Sequence, residues 1–234
     1  MADMADTGDR SWGHLADTEH FGRVCMNNIQ VNKADLNLLK CHDSTHAAHC
    51  MIYSKTEEKI FGIYSARAVI LMQLRFDGYL GFPGGIVNTG EDIPSGLNRE
   101  LVEEMNLNVQ KHPVKEEHYV VSHWCPSKNL LLHFYALEVS VDDIKAIEEE
   151  AVKARDYGIE TLGTVRLPLY TMGDGYRGFP AFLANSFVSV SREQLLYTLE
   201  YKSIMSIEEI SKALRARPLQ LPVEEEEDSG RVQM

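Results

Sequence analysis

The chain has 234 residues, 44% of them hydrophobic, which is enough to bury one sizeable core. Its formal charge of −12 excludes tight non-specific nucleic-acid binding, which depends on many Lys and Arg contacts to phosphate. Residues 1–20 and 223–234 each hold five acids and one Arg, so the two ends carry −8 of that charge and the body between them is only mildly acidic. Any RNA partner therefore needs a local basic patch, stacking, or bound metal.

Residues 1–43 read as an N-terminal extension, partly disordered because MADMADTGDR is polar and charged. Residues 44–217 read as one domain, and 218–234, with its run of glutamates, as an acidic disordered tail. No apolar run resembles a signal peptide and no segment reaches the length of a membrane span, so a soluble protein without a membrane partner is expected. Cys25, Cys41, Cys50 and Cys125 form no C-x-x-C pair, and a reduced intracellular compartment is the simplest inference. No Lys/Arg run marks nuclear import.

Within the domain, AAHCMIY at 47–53 and AVILMQLR at 68–75 read as buried strands. Residues 119–124 and 130–139 predict two more, joined by a turn around Pro126 to Asn129. Ser140 opens a helix that Gly158 stops, 161–170 predicts a strand ending at proline, and helices follow near 191–201 and 206–216, the latter with Ser206 and Glu209 as a capping box. Strands alternating with helices that pack on both faces give an α/β/α sandwich with a mixed sheet.

The strongest signal is GIVNTGEDIPSGLNRELVEEMNL, Gly85 to Leu107. Asp92 can cap a helix whose first turn accepts Pro94, and Leu97, Leu101 and Met105 supply its apolar stripe. Glu100, Glu103 and Glu104 then sit at i, i+3 and i+4, which brings three carboxylates onto one face. Their repulsion raises at least one pKa unless cations lie between them, and hard oxygen ligands suit Mg²⁺ or Mn²⁺. Arg99 is placed to brace Glu91 rather than to touch substrate. Gly84 and Gly85 let backbone approach a ligand, so the Gly84 carbonyl joins the candidate ligands. Glu103 is either ligand or general base; spacing does not decide.

Written G-x5-E-x7-R-E-U-x-E-E-x-Asn-U, with U aliphatic, this stretch is identified as a Nudix box, with Asn106 where the family has glycine. Asparagine is the next best residue for a left-handed helix cap, so the helix should still stop there. From Thr45 to Leu196, through ILMQLRFDGYLGFPGG, RDYGIETLGTVRLPLYT and FLANSFVSVSREQLL, the chain resembles the branch of Nudix enzymes that contains the small nucleolar RNA decapping and inosine diphosphatase activities.

That resemblance implies hydrolysis of inosine and deoxyinosine diphosphates and of capped RNA, small nucleolar RNA included, with Mg²⁺, Mn²⁺ or Co²⁺. It further implies a homodimer in the nucleus, its nucleolus and nucleoplasm, with the cytoplasm as a further compartment. By position it assigns nucleotide binding to His46, Arg75, Phe82 and Gln194, and metal binding and catalysis to Gly84, Glu100, Glu103, Glu104 and His123. The residues alone leave a second reading for each: surface for His46, an ion pair with Asp77 for Arg75, core for Phe82, solvent exposure for Gln194, burial for His123. His46 and His49, three apart on a strand, diverge and share no zinc. A related regulator lacking the glutamates binds RNA and protein without turnover, so a catalytically weak binding protein is the alternative to the enzyme.

Overall fold

The computed structural model describes residues 27–36 and 44–218. The expectations for the first 26 residues and for the acidic tail beyond Pro218 lie outside the described residues.

Alternating apolar residues build the central sheet. Its path runs β1 (Ile29–Val31), β8 (Tyr119–Cys125), β9 (Leu130–Glu138), β2 (Thr45–Lys55), β5 (Ala68–Arg75) and β10 (Thr161–Arg166). Two short strands attach to it, β6 (Leu80–Gly81) on β5 and β7 (Gly84–Val87) on β2, while β3 (Lys59–Ile60) and β4 (Tyr64–Ser65) form a separate hairpin. The β2–β9 pair is parallel and the other pairs are antiparallel, so the sheet is mixed as expected.

Because side chains alternate faces along a strand, the sheet buries two separate cores. Cys50, Ile52, Leu71 and Leu137 pack on one face against α1 (Ile93–Met105) and α2 (Val141–Ala151). Met51, Tyr53, Ile70 and Phe134 pack on the other against α4 (Ser191–Tyr201) and α5 (Ile207–Arg215), beside the single-turn α3 (Phe179–Phe182). This is the expected α/β/α sandwich.

Local signals set α1 closely. The Asp92 side chain accepts from the Ser95 N–H at 3.1 Å, Pro94 lies in the first turn, and Leu97, Leu101 and Met105 are fully buried. Asn106 ends the helix at φ 50° and ψ 34°, its N–H reaching the Leu101 and Val102 carbonyls. Two elements are shorter than the sequence predicts. The helix after Ser140 ends at Ala151 rather than near Gly158, because the following turn docks the Asp156 N–H on the Glu103 carbonyl of α1 at 3.1 Å. Strand β10 stops at Arg166, ahead of Pro168. Cys50 is buried and free, whereas Cys125 is disulfide-bonded, a departure from the expectation of four reduced thiols.

The left-handed cap yields a test of the Asn106 departure. Asn106→Gly removes the backbone penalty but also the 2.9 Å hydrogen bond to Glu150, so stability should stay within about 1 kcal/mol of wild type. Asn106→Val forces a β-branched residue to positive φ and should cost about 1–3 kcal/mol by urea denaturation. Equal stability of the two variants would contradict the cap assignment.

Candidate active site

Strand β2 changes partners along one edge. Ile52–Lys55 pair with β5, and His46–His49 pair with β7. The parting of β5 from β7 opens a cavity of about 530 Å³ whose wall includes His49, Arg75, Gly84, the three α1 glutamates and Gln194. A second hollow of about 540 Å³ lies between the β3–β4 hairpin and α5. It has no comparable cluster of acids, and its Arg67 is paired with Glu209.

Two glycines let the carboxylates reach the wall. At Gly84, φ is 132° and a Cβ would lie 2.1 Å from the Ala48 carbonyl oxygen, so only glycine fits. Its N–H donates to Glu104 Oε2 at 2.9 Å, which holds that carboxyl, only 4% exposed, at the cavity floor. At Gly85 a Cβ would stand 2.6 Å from Glu100 Oε2. Burial pushes the Glu104 carboxyl up to about 8, opposed by the Gly84 N–H and reinforced by the charge of Glu100. Glu100 is likewise raised, chiefly by burial, with Arg99 opposing.

Arg99 holds the cluster together. It grips Glu91 through two hydrogen bonds of 3.1 Å, as the sequence predicts, and also reaches Glu100 at 2.7 Å, Glu103 at 3.2 Å and the Ile86 carbonyl at 2.9 Å. Glu103 is further paired with Arg155 at 3.0 Å. With these side chains so committed, no three His, Cys, Asp or Glu groups among the described residues are arranged to hold an ion as they stand. The donor set still fits a hard divalent cation. Glu100 and Glu104 share one wall, the buried Glu104 resists ionisation without a counter-charge, and Gly85 leaves room beside Glu100. Glu100 and Glu103 would have to turn from arginine to the ion.

The structure brings together six of the nine predicted residues: Arg75, Gly84, Glu100, Glu103, Glu104 and Gln194. Arg75 is both on the wall and in the ion pair, its guanidinium 3.1 Å from Asp77. Gln194 is 2% exposed rather than solvated, and its Nε2 has no hydrogen-bond partner. The other three stand elsewhere. His46 falls on the opposite face of β2, where its Nδ1 lies 2.9 Å from His133 Nε2 in a chain that continues to Ser122 and Tyr119. Phe82 is 3% exposed and packs edge-on to Phe134 with ring centroids 4.9 Å apart, so it offers no open ring to a base. His123 shares a cross-strand row with Leu132 and Ala47, which line the cavity, but is buried off its wall with Nδ1 unpartnered.

Sequence reasoning missed His49, Lys128, Asp156 and Glu160 on the same wall. His49 pairs across from Gly84, and burial with the nearby Arg75 charge pushes its imidazole down to about 4. Strand alternation separates His46 from His49, but only the register with β7 says which one faces the cavity.

The raised Glu104 carboxyl makes a signed prediction. The folded protein holds a proton that the unfolded chain releases near the ordinary glutamate value of 4.5, so stability is full below that pH and declines as pH rises towards about 8. In EDTA at pH 8, Glu104→Gln should therefore melt about 4–8 °C higher than wild type, on the scale of ~2 kcal/mol for a domain of this size. At pH 4 the gain should vanish. Equal melting temperatures at both pH values would show that the carboxyl is not strained.

Residues 46–205 match the family described as Nudt16-like, U8 snoRNA-decapping enzyme-like. The chain is 60% identical over 181 residues to a U8 snoRNA-decapping enzyme of Homalodisca vitripennis, covering 76% of this chain and 97% of that one. It is 43% identical over 159 residues to the U8 snoRNA-decapping enzyme of Mus musculus, covering 68% and 82%. It is also 40% identical over 174 residues to the Tudor-interacting repair regulator protein of Homo sapiens, covering 74% and 81%. With the box glutamates gathered on one wall, the chain belongs to the U8 snoRNA-decapping enzyme-like family of Nudix hydrolases.

Proposed function

We propose that the protein hydrolyses diphosphate linkages in purine nucleoside diphosphates, inosine and deoxyinosine diphosphate foremost, and in capped RNA, small nucleolar RNA included. The observation that carries this is the wall itself, where Glu100, Glu103 and Glu104 face the same cavity as His49, Arg75 and Gln194. Glu100, Glu104 and the Gly84 carbonyl are the groups to hold Mg²⁺, Mn²⁺ or Co²⁺. Such an ion, when bound, neutralises phosphate oxygens and acidifies the attacking water.

The chain's residues supply the rest. In the hydrolysis of a diphosphate, a water oxygen bonds to phosphorus, the bridging P–O bond breaks, and a monophosphate and orthophosphate leave. Glu103, less buried than Glu104 and tethered by Arg99 and Arg155, is the group to accept the proton of that water. Arg75, oriented by Asp77, places a fixed charge for the phosphates. The neutral His49 and the unpartnered Gln194 amide read the base or sugar by hydrogen bonds in a partly apolar slot that includes Ala47, Leu132 and Val190. Among the described residues no cysteine lines the cavity, and the nucleophile of this reading is water.

Homodimerisation and a nuclear, nucleolar setting belong to the same reading and rest on the family resemblance. The 40% identity to a Tudor-interacting repair regulator favours a binding role without turnover as the second reading. The complete set of box glutamates favours the enzyme.

A panel assay separates them. With Mn²⁺, wild type should release monophosphate from inosine diphosphate faster than from guanosine or adenosine diphosphate, and should release the cap from capped RNA. Glu104→Gln should lose at least about a hundredfold in kcat while remaining folded. Gln194→Ala should lose roughly ten- to a hundredfold in kcat/KM on inosine diphosphate and less on the other two. Absence of turnover by wild type would end the enzyme reading, near wild-type turnover by folded Glu104→Gln would end the metal-holding role of that carboxyl, and uniform loss across substrates in Gln194→Ala would end the base-reading role.

A further inference from the structure

The turn that leads into α4 is stitched to β6 by two backbone hydrogen bonds of 2.9 Å, from the Val188 N–H to the Leu80 carbonyl and from the Leu80 N–H to the Ser186 carbonyl. Val188 also packs over Gly81 beside Arg75, since a Cβ at Gly81 would stand 3.0 Å from both side chains. Fixed in this way, the turn holds Ser189 at a φ of 47°, in the left-handed region that favours glycine. Ser189 and Gln194 both line the cavity, and the Ser189 hydroxyl and Gln194 Nε2 are buried with no hydrogen-bond partner among the described residues. A strained serine whose hydroxyl bonds nothing does no more for the fold than glycine would, which points to binding.

The wall beside this turn is apolar. Ala47, Leu130, Leu132 and Val190 form a small cluster of their own, apart from the two cores of the sandwich, and all four line the cavity. Such a patch suits the face of a base rather than a phosphate, whose charge apolar surroundings penalise. Helix α4 starts with no side-chain cap, and the positive end of its dipole lies at this turn. A hydroxyl dipole aligns in that field with its oxygen towards the helix and its proton away from it. The Gln194 amide nitrogen is a donor only. The slot therefore offers protons and calls for an acceptor. We propose that Ser189 is a specificity-determining residue, whose hydroxyl donates to the oxygen at position 6 of a 6-oxopurine such as hypoxanthine, seated against the Ala47, Leu132 and Val190 patch. The 6-amino group of adenine would set a donor against donors there. The inference rests on the base-reading part of the proposed function and adds the group that chooses between oxo and amino bases.

The test compares Ser189→Ala and Ser189→Gly with wild type on the full chain. Binding of inosine 5′-monophosphate and adenosine 5′-monophosphate is measured by calorimetry in EDTA, and melting temperature is measured beside it. Wild type should bind the inosine nucleotide more tightly, and the ratio of the two Kd values should shrink about tenfold in both variants. Ser189→Gly should melt about 2–4 °C above Ser189→Ala, because only glycine relieves the backbone. Loss of preference in one variant alone, following its melting temperature, would overturn the proposal, since Ser189 would then act through the fold. So would a wild type without preference, or equal weakening for both nucleotides, which would assign the turn to the phosphate they share. A preference lost in both variants, in a protein that releases no monophosphate from inosine diphosphate with Mn²⁺, would keep the slot and remove the hydrolase reading instead.

Discussion

The active site depends on one crowded contact: a carboxyl, Glu104, held out of water by a glycine N–H and set beside a second carboxyl, Glu100. Neither burial nor the neighbouring charge favours ionisation, and the carboxyl rises to about 8. The rest of the wall follows from keeping this arrangement in place. Gly84 reaches Glu104 at a φ of 132°, where any side chain would strike Ala48. Arg99 ties Glu100 and Glu103 to Glu91 and to the Ile86 carbonyl, so the loop before α1 is fastened to the helix itself. Such clustering is destabilising for the bare protein and is the form of strain that enzymes keep at reacting centres.

The sheet supplies the opening. A continuous β2–β5 pairing would have closed the floor, but β2 hands its edge to β7 below Ile52 and leaves the cavity between the two partners. The glutamate helix lies on one face of the sheet and the Gln194 helix on the other, yet both reach this gap. A sandwich thus places the glutamates and the Gln194 amide, from opposite layers, in one cavity.

Much of this was legible in the sequence, for physical reasons that differ by region. Helix α1 was readable almost residue by residue, since its cap, proline, stripe and stop are all local. The carboxylate face followed from helical spacing alone. That His49 rather than His46 stands on the cavity wall could not be told from the sequence, because it requires a register, and register is set by a partner strand distant along the chain. Phe82 illustrates the same limit: an aromatic before Pro83 reads alike as core or platform until Phe134 is seen against it. Gln194 lies on a helix of mixed polarity, whose buried side could not be told from its sequence, and the early end of α2 came from a tertiary hydrogen bond between Asp156 and Glu103.

The central proposal is that the cavity floor carries a proton which a bound cation would displace. Calorimetric titration of the protein with Mn²⁺, in two buffers of different ionisation enthalpy, counts the protons released per ion. At pH 7 the account predicts release of about one proton per ion, falling towards none above about pH 9, where the Glu104 carboxyl is already ionised. Binding with no proton release at pH 7 would contradict it.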